Sequence, residues 1–296
     1  MKLFQRLLVA PAALGLMAPL AANADVTPVS NESDHSSEVI QARVDGVEAQ
    51  LGEIMAGQFS SSTKMSGKAA FITGYVDDDQ DTDEDNMTMT YMYQLNLNTS
   101  FTGEDNLYTR IKTGNNPSGS HWVDSGDGTY LSAGNKNGDV LKVDKLWYQF
   151  PVGDSLQVWV GPRIENYYML ASSPSIYKPI LKELKLGGNG SVYGASTGQG
   201  FGAAWTQSVE DSSQPRFALS ANYTASSSSG EEADPEKGGI LTDGAKGMFL
   251  TKLEYGSPRW QVSAAYSVKS NGADAGSYYS TTQGKSRTGD TDAVGF

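Results

Sequence analysis

The sequence predicts an all-β fold, an antiparallel transmembrane β-barrel preceded by a signal peptide and a short coiled-coil helix. Three observations predict it: strands that alternate apolar and polar side chains, connections that alternate between long and short, and a complete lack of cysteine. Residues 91–101, YMYQLNLNTSF, show the first pattern. Successive side chains of a strand point to opposite faces, so this strand has one aromatic, apolar face and one polar, uncharged face.

The N-terminus has the organisation of a signal peptide. Lys2 and Arg6 precede an apolar stretch, and small residues at positions 22–24 supply a cleavage site. We therefore expect residues 1–24 to be removed on export, with a retained transmembrane helix as the alternative. The formal net charge of −12 becomes more negative on cleavage and disfavours nucleic acid as a partner.

The next two segments precede the strands. Residues 25–38 are polar and are predicted to form a disordered linker. Within 39–57, apolar residues recur at alternating spacings of four and three, which predicts a short coiled-coil helix. These residues are Ile40, Val44, Val47, Leu51 and Ile54. Such a short helix is marginal alone, so we expect it to associate in threes; an amphipathic helix packed on its own barrel is the alternative.

From residue 68 to residue 296 the two-face alternation recurs and predicts nine strands and the beginning of a tenth. If the first strand, 68–76, runs outward, long and short connections alternate throughout, as they do in outer-membrane barrels. The long connections are 77–89, 114–140, 164–195, 226–246 and the segment from 270, and the short turns are 103–106, 151–154, 208–215 and 256–259. Because a barrel must close, we expect 68–296 to be an incomplete part of a longer barrel.

Residues 1–24 and the stretch 42–71, ARVDGVEAQLGEIMAGQFSSSTKMSGKAAF, resemble cyanobacterial outer-membrane porins, the iron uptake porins related to carbohydrate-selective OprB-type porins. The resemblance implies an outer-membrane homotrimer, about sixteen strands per chain, and passive diffusion of small hydrophilic solutes, either inorganic ions including iron or carbohydrates. Such porins carry a surface-layer-homology domain that binds peptidoglycan. Residues 25–38 are too short for it, so we expect no peptidoglycan contact.

The third long connection suggests a pore constriction. Residues 175–186 are predicted to form a short helix ended by Gly187 and Gly188. One helix face would press Ile180, Leu181 and Leu184 against the barrel wall. Its other face would hold three lysines over the lumen and attract anions, beside four basic residues of the strands. The predicted constriction set is Arg110, Lys112, Lys145, Arg163, Lys178, Lys182 and Lys185. A solvated surface helix is the alternative.

Aromatic residues are predicted on both faces. Those on the lipid side are Tyr91, Tyr93, Tyr148, Tyr223, Trp260 and Tyr266, with some at the membrane interfaces. Trp159 and Tyr108 lie on the polar side, where aromatic rings would suit sugar stacking. The sequence leaves the choice between an ion and a sugar open.

No motif favours an enzyme, a cofactor or a resident metal. The two histidines, His35 and His121, are isolated, and the glycine cluster at 198–202 suits a strand start better than a phosphate loop. The acidic run at 77–85 fails the EF-hand spacing and predicts an acidic extracellular loop, with loose cation capture as the alternative. The rival to a porin is a secreted or surface-attached β-rich adhesin without a channel.

Overall fold

The computed structural model describes residues 43, 46, 62–75, 87–116, 122–123, 130–194, 197–226, 239–273 and 289–296. The chain divides into two compact units, Met1–Ile54 and Met55–Phe296. In the first unit the described residues are Arg43 and Gly46, and both are helical. The predicted signal peptide, linker and acidic run, and the rest of the predicted coiled coil, lie outside the described residues.

The second unit is a ten-stranded antiparallel sheet in which every strand pairs with its neighbour in sequence. The strands are β1 (Thr63–Gly74), β2 (Thr88–Thr99), β3 (Asn106–Gly114), β4 (Lys142–Val152), β5 (Leu156–Ile164), β6 (Gly198–Thr206), β7 (Arg216–Ala225), β8 (Gly247–Ser257), β9 (Trp260–Lys269) and β10 (Thr291–Gly295). This confirms the predicted all-β antiparallel class. Among the described residues, no helix is long and apolar enough to cross a membrane.

The first strand begins earlier than predicted, at Thr63 instead of residue 68. Its first residues, 63–68, include Met65 as their only large apolar side chain and lack the apolar alternation that marks the other strands. They nevertheless pair in register with β2, from Thr63 opposite Thr99 to Lys68 opposite Gln94. A hydrogen bond of 2.9 Å between the hydroxyl oxygens of Thr63 and Thr99 joins the far end of this pairing.

Connections between strands alternate strictly between long and short. The short ones are 100–105, 153–155, 207–215 and 258–259, and the long ones are 75–87, 115–141, 165–197, 226–246 and 270–290. Because each strand reverses direction, all short turns lie at one end of the sheet and all long connections at the other. The predicted alternation is therefore confirmed.

The sheet exposes its apolar side chains and buries its polar ones, which is the reverse of the usual arrangement in a soluble protein. On β7 and β8, Leu219 and Leu253 are 50% and 53% exposed, whereas their polar neighbours Ser220 and Lys252 are 0% and 1% exposed. We call the side bearing Leu219 and Leu253 the apolar face and the side bearing Ser220 and Lys252 the polar face. Large exposed side chains on the apolar face include Val160, Phe201, Trp205, Phe217, Phe249, Tyr255, Val262, Tyr266 and Val268.

Residues 165–194, which are most of the third long connection, cover the polar face, and we call them the packed segment. They contain 3-10 turns at Asn166–Tyr168 and Lys182–Gly188 and a short α-helix at Gly190–Tyr193. Two clusters of buried apolar side chains lie beneath the segment. One contains Leu170, Val192, Tyr193, Met248, Leu250 and Ala265, and the other contains Trp147, Trp159, Ile164, Met169 and Ala204.

Asp105 closes the short turn between β2 and β3. Its Oδ1 accepts hydrogen bonds from the backbone N–H groups of Phe101 and Thr102 and from the hydroxyls of Ser100 and Thr102, at 2.8–2.9 Å. Its Oδ2 accepts a hydrogen bond of 2.6 Å from the Tyr148 hydroxyl. The bond from Tyr148, assisted by those within the turn, holds the pKa of Asp105 well below its usual range.

We expect Asp105→Asn to destabilise the sheet at neutral pH. The two carboxylate oxygens of Asp105 both accept hydrogen bonds, whereas an asparagine side chain has one acceptor oxygen. A carboxylate with a depressed pKa contributes stability above its unfolded pKa of about 3.9 and loses it as the pH falls through the folded pKa. The wild type should therefore lose more stability than Asp105→Asn between pH 5 and about pH 2, as urea midpoints would measure.

Asp154→Asn, in the exposed turn between β4 and β5, is the matched control and should leave the midpoint unchanged. Equal midpoints for Asp105→Asn and the wild type at pH 7 would contradict the role assigned to this turn.

Candidate functional site

Asn166 and Asn222 join the packed segment to the polar face. Asn166 Nδ2 donates to Asn222 Oδ1 at 2.7 Å and to the Met248 carbonyl oxygen at 3.1 Å. Asn222 Nδ2 in turn donates to the carbonyl oxygens of Asn166 and Met169, each at 3.2 Å. Both asparagines are buried, so these amides satisfy backbone groups that water cannot reach.

Two buried lysines also hold the segment. Lys252 Nζ donates to Ser172 Oγ at 2.9 Å and lies 2.5 Å from Glu254 Oε2. Lys269 Nζ donates to the Ser191 carbonyl oxygen at 2.6 Å. Since a buried ammonium group is costly without partners, these lysines are committed to positioning the segment.

Two glycines of β6 let neighbouring atoms pack closely against this strand beside the start of the packed segment. A Cβ atom at Gly200 would lie 2.7 Å from Ile164 Cγ2 and 2.8 Å from the Tyr223 carbonyl oxygen. A Cβ at Gly202 would lie 2.4 Å from Asn222 Cβ. The glycine cluster at 198–202 therefore serves close packing at the start of a strand, as the sequence suggested.

The predicted helix at 175–186 is wrong. Residues 175–181 form no helix, and helical geometry is confined to the irregular turn Lys182–Gly188, in which Leu186 has a φ of 59°. Pro179 disfavours helical geometry in the residue before it. The following backbone pairs with another connection instead: Ser132 N donates to the Ile180 carbonyl at 2.6 Å, and Lys182 N donates to the Tyr130 carbonyl at 2.8 Å.

This pairing also changes which side chains are covered. Ile180 and Leu184, predicted to press against the sheet, are 77% and 57% exposed. The segment packs through Leu170, Val192 and Tyr193 instead. These residues lie outside the predicted helix, where the sequence shows no amphipathic periodicity.

Two predicted constriction residues are neutralised by carboxylates. Arg110 forms an ion pair with Asp144 and donates from Nη1 to the Tyr168 hydroxyl at 2.9 Å. Lys145 is buried and lies 2.9 Å from Glu165 Oε1. Both are on the polar face as predicted, and both are held in place by partners.

The electrostatics of Glu165 follow from these contacts. Burial is the largest single effect and raises the pKa of this carboxyl, but Lys145, the hydrogen bond from Tyr167 and the charge of Arg110 together lower it to about 2. Glu165 therefore carries its negative charge at any physiological pH.

Lys112, Lys182 and Lys185 interact electrostatically with one another, and Lys182 and Lys185 also interact with Glu165. Lys182 donates to the Tyr130 hydroxyl at 2.8 Å and lies 4.2 Å from the centre of that ring. Burial lowers the pKa of Lys182 to about 8, although the charge of Glu165 opposes the shift. Burial also lowers the pKa of Lys185 to about 8, and the neighbouring charges of Lys182 and Lys68 add to this effect.

The remaining two predicted residues are elsewhere. Lys178 is exposed on the segment. Arg163 pairs opposite Leu146, and residues directly opposite each other project to the same face, so Arg163 shares the apolar side of Leu146. An irregularity between Gly161 and Ile164 shifts the alternation there, which simple parity could not predict.

Aromatic rings on the polar side form a stack instead of an open surface. Tyr108 and Trp147 have ring centroids 4.2 Å apart, Trp147 and Tyr168 are 4.8 Å apart, and Tyr168 and Tyr167 are 4.6 Å apart. Trp147 and Trp159 are buried. Tyr108 and Trp159, which the sequence suggested for sugar stacking, therefore contribute mainly to the core beneath the packed segment.

Sequence reasoning placed Lys252 on the polar face but left it, with Lys68, Lys142 and Lys269, out of the predicted constriction set. Lys252 and Lys269 did have a signal, because each alternates with apolar neighbours in a predicted strand. Lys142 lies beyond the β4 irregularity near Asp144, and Lys68 stands where β1 has little alternation, so neither could be assigned a face from parity. In the described part of the chain, no group of His, Asp or Glu side chains could hold a metal ion.

Two rows of aromatic residues cross the apolar face. Near the short turns, the ring centroids of Phe217 and Tyr255 are 4.5 Å apart, and Trp260 lies 5.7 Å from Tyr255. Near the long connections, Tyr223 lies 4.7 Å from Phe249 and 5.8 Å from Phe201. Along β8, the two rows are about 20 Å apart at the usual rise per residue.

The residues predicted on the lipid side differ in their exposure. Tyr93, Trp260 and Tyr266 are well exposed on the apolar face. Tyr223 is buried, because it packs between Phe201 and Phe249 and its hydroxyl oxygen accepts a hydrogen bond from the Leu241 backbone at 3.2 Å.

Comparison with known proteins gives a limited result. The chain matches no family model. It is similar to the uncharacterized protein alr4550 of Nostoc sp., with 31% identity over 168 residues, which is 52% of this chain and 27% of that protein. The chain therefore spans about a quarter of the relative's length, and that relative's printed name assigns no function.

We expect Asn222→Ala to loosen the packed segment, because it removes the amide that bonds Asn166 and Met169. The loss of one such buried hydrogen-bonding group should speed amide hydrogen exchange across residues 166–172 by about tenfold. Asn98→Ala is the matched control: it removes a polar-face amide whose Oδ1 accepts a bond from Asn106, away from the segment. Equal exchange in both variants would contradict the anchoring role.

Proposed function

We propose that this chain forms wall strands of an outer-membrane porin through which small hydrophilic solutes diffuse passively. The observation that carries the proposal is the reversed burial of the sheet, with a broad apolar face exposed and a polar face covered by its own connection. Soluble proteins rarely expose apolar patches larger than a few hundred Å². Lipid is the solvent that would make such a face stable.

The aromatic rows support this proposal. Outer-membrane barrels carry an apolar band about 25 Å tall between aromatic girdles at the two membrane interfaces. The spacing of the rows on β8, and the leucine, alanine and valine side chains between them, fit that organisation. The separation of short turns from long connections supports the same orientation, with short turns facing the periplasm.

In this proposal the polar face surrounds the water-filled lumen, and the packed segment narrows it. A connection held to the wall by Asn166, Lys252 and Lys269 would be a fixed constriction. The cations beside it would set the charge preference. Barrel closure, the trimer and the outer-membrane location belong to the proposal and agree with the resemblance of residues 1–24 and 42–71 to cyanobacterial porins.

Single-channel conductance of the full chain, refolded in detergent and added to a planar bilayer, tests the proposal. Stable conductance steps would support a porin. A folded protein that stays soluble without detergent and leaves the bilayer silent would favour the rival, a secreted adhesin.

We expect Leu253→Arg to impair membrane insertion, because this side chain lies on the apolar face between the aromatic rows, two residues from Tyr255 and four from Phe249. A basic residue at the midplane of a barrel's lipid face costs about 2–4 kcal/mol. Ser212→Arg, in an exposed short turn, is the matched control and should insert normally. The measurement is the folded fraction in lipid vesicles over a urea series. Equal folding of both variants would contradict lipid contact at Leu253.

We expect the channel's preference for anions to decrease as the pH rises from 7 to 9.5. Lys182 and Lys185 have pKa values of about 8, so both are mostly charged at pH 7 and mostly neutral at pH 9.5. The reversal potential in a salt gradient measures the change. The double variant Lys182→Met and Lys185→Met should respond much less to pH, and an equal response would place the titrating groups elsewhere.

A further inference from the structure

A row of lysines crosses the polar face from β1 to β4. In register, Lys68 lies opposite Gln94, Gln94 lies opposite Lys112, and Lys112 lies opposite Lys142. Residues opposite each other share a face, and neighbouring strands are about 5 Å apart. The three lysines therefore stand on one side of the sheet, within reach of a common small ligand.

The placement of these lysines is unfavourable without an anion. Like charges directly opposite each other destabilise a sheet, and Lys112 and Lys142 are such a pair. Among the described residues, none of Lys68, Lys112 and Lys142 forms an ion pair. The nearby carboxylates are committed, Asp144 to Arg110 and Glu165 to Lys145.

The packed segment adds further positive charge over this row. The pairing of residues 130–132 with 180–182 and the contact between Lys182 and the Tyr130 ring fix the position of Lys182. The charges of both Lys182 and Lys185 act on Lys112, and that of Lys68 acts on Lys185. Four of these lysines thus interact electrostatically, and Lys142 joins them by its register opposite Lys112, in a protein whose net charge is −12.

We propose that Lys68, Lys112, Lys142, Lys182 and Lys185 form a binding site for a small multivalent oxyanion, such as inorganic phosphate. The inference deepens the proposed function, on which it rests for its physiological role, by naming the solute class that the constriction attracts. It concerns binding by the folded chain and can be measured without a channel.

The chemistry of the site favours an oxyanion over the solutes that the resemblance implies. Ammonium groups are donors only, and a tetrahedral oxyanion offers acceptors in several directions together with the compensating charge. A ferric cation would be repelled by five positive charges. A neutral sugar carries no negative charge for these lysines to attract, and the aromatic rings that could stack on it are packed in the core.

Isothermal titration calorimetry with inorganic phosphate tests the site on the full chain, folded in a non-ionic detergent at pH 7. We expect saturable binding that weakens by about tenfold or more in the double variant Lys112→Met and Lys142→Met, which removes two charged donors. Lys178→Met is the matched control, since this lysine is exposed on the same segment outside the row, and it should bind as the wild type does. If the double variant misfolds, Lys68→Met on the edge strand provides the same comparison.

Three results would overturn the inference: no saturable binding by folded wild type, unchanged binding by the row variants, or an equal loss in Lys178→Met. A bilayer measurement on the same preparation separates the two proposals. If the protein conducts but does not bind phosphate, the inferred binding site is wrong and the proposed function stands. If the protein binds phosphate at these lysines but never conducts, the binding site stands and the proposed function is wrong.

Discussion

The contact between the packed segment and the polar face is the interaction on which the rest of this structure depends. Without it, Asn222, Ser220 and Lys252 would face an open surface, and the sheet would have no covered side at all. Asn166 and Asn222 exchange side-chain and backbone hydrogen bonds, so the segment replaces the water that polar side chains would otherwise bind. The apolar residues that would form the core of a soluble sandwich remain outside.

The lysines of the polar face fall into two groups, those paired with carboxylates and those without an ion pair among the described residues. Lys145 and Lys252 lie beside carboxylates and have structural partners, so removing either partner would leave a buried charge uncompensated. Lys68, Lys112 and Lys142 form no ion pairs among the described residues. Sequence composition treats all these lysines alike. Their different environments depend on whether a carboxylate from the same strand or from the segment comes within reach.

Most of the sheet could be predicted from the sequence because a strand's two faces are encoded in consecutive residues. The strands, their order, the alternating connections and the polar-face positions of Arg110, Lys112 and Lys145 all follow from this local pattern. Arg163 could not be assigned correctly, because one irregular position in β5 reverses parity. The form of the packed segment was also beyond prediction: the backbone around Pro179 pairs with residues 130–132, and nothing in the local periodicity of either segment indicates such a partner.

The ladder of neighbouring strands has a consequence for the order of folding. Each hairpin can form from adjacent residues, and such local pairing costs little loop entropy. The contacts of Asn166 with Met248, Ser172 with Lys252 and Ser191 with Lys269 join residues 78–82 positions apart. These contacts can therefore form only after β8 and β9 are in place, and until then this part of the polar face stays uncovered. Complete covering of the polar face is therefore a late step of folding, separate from the assembly of the strands themselves.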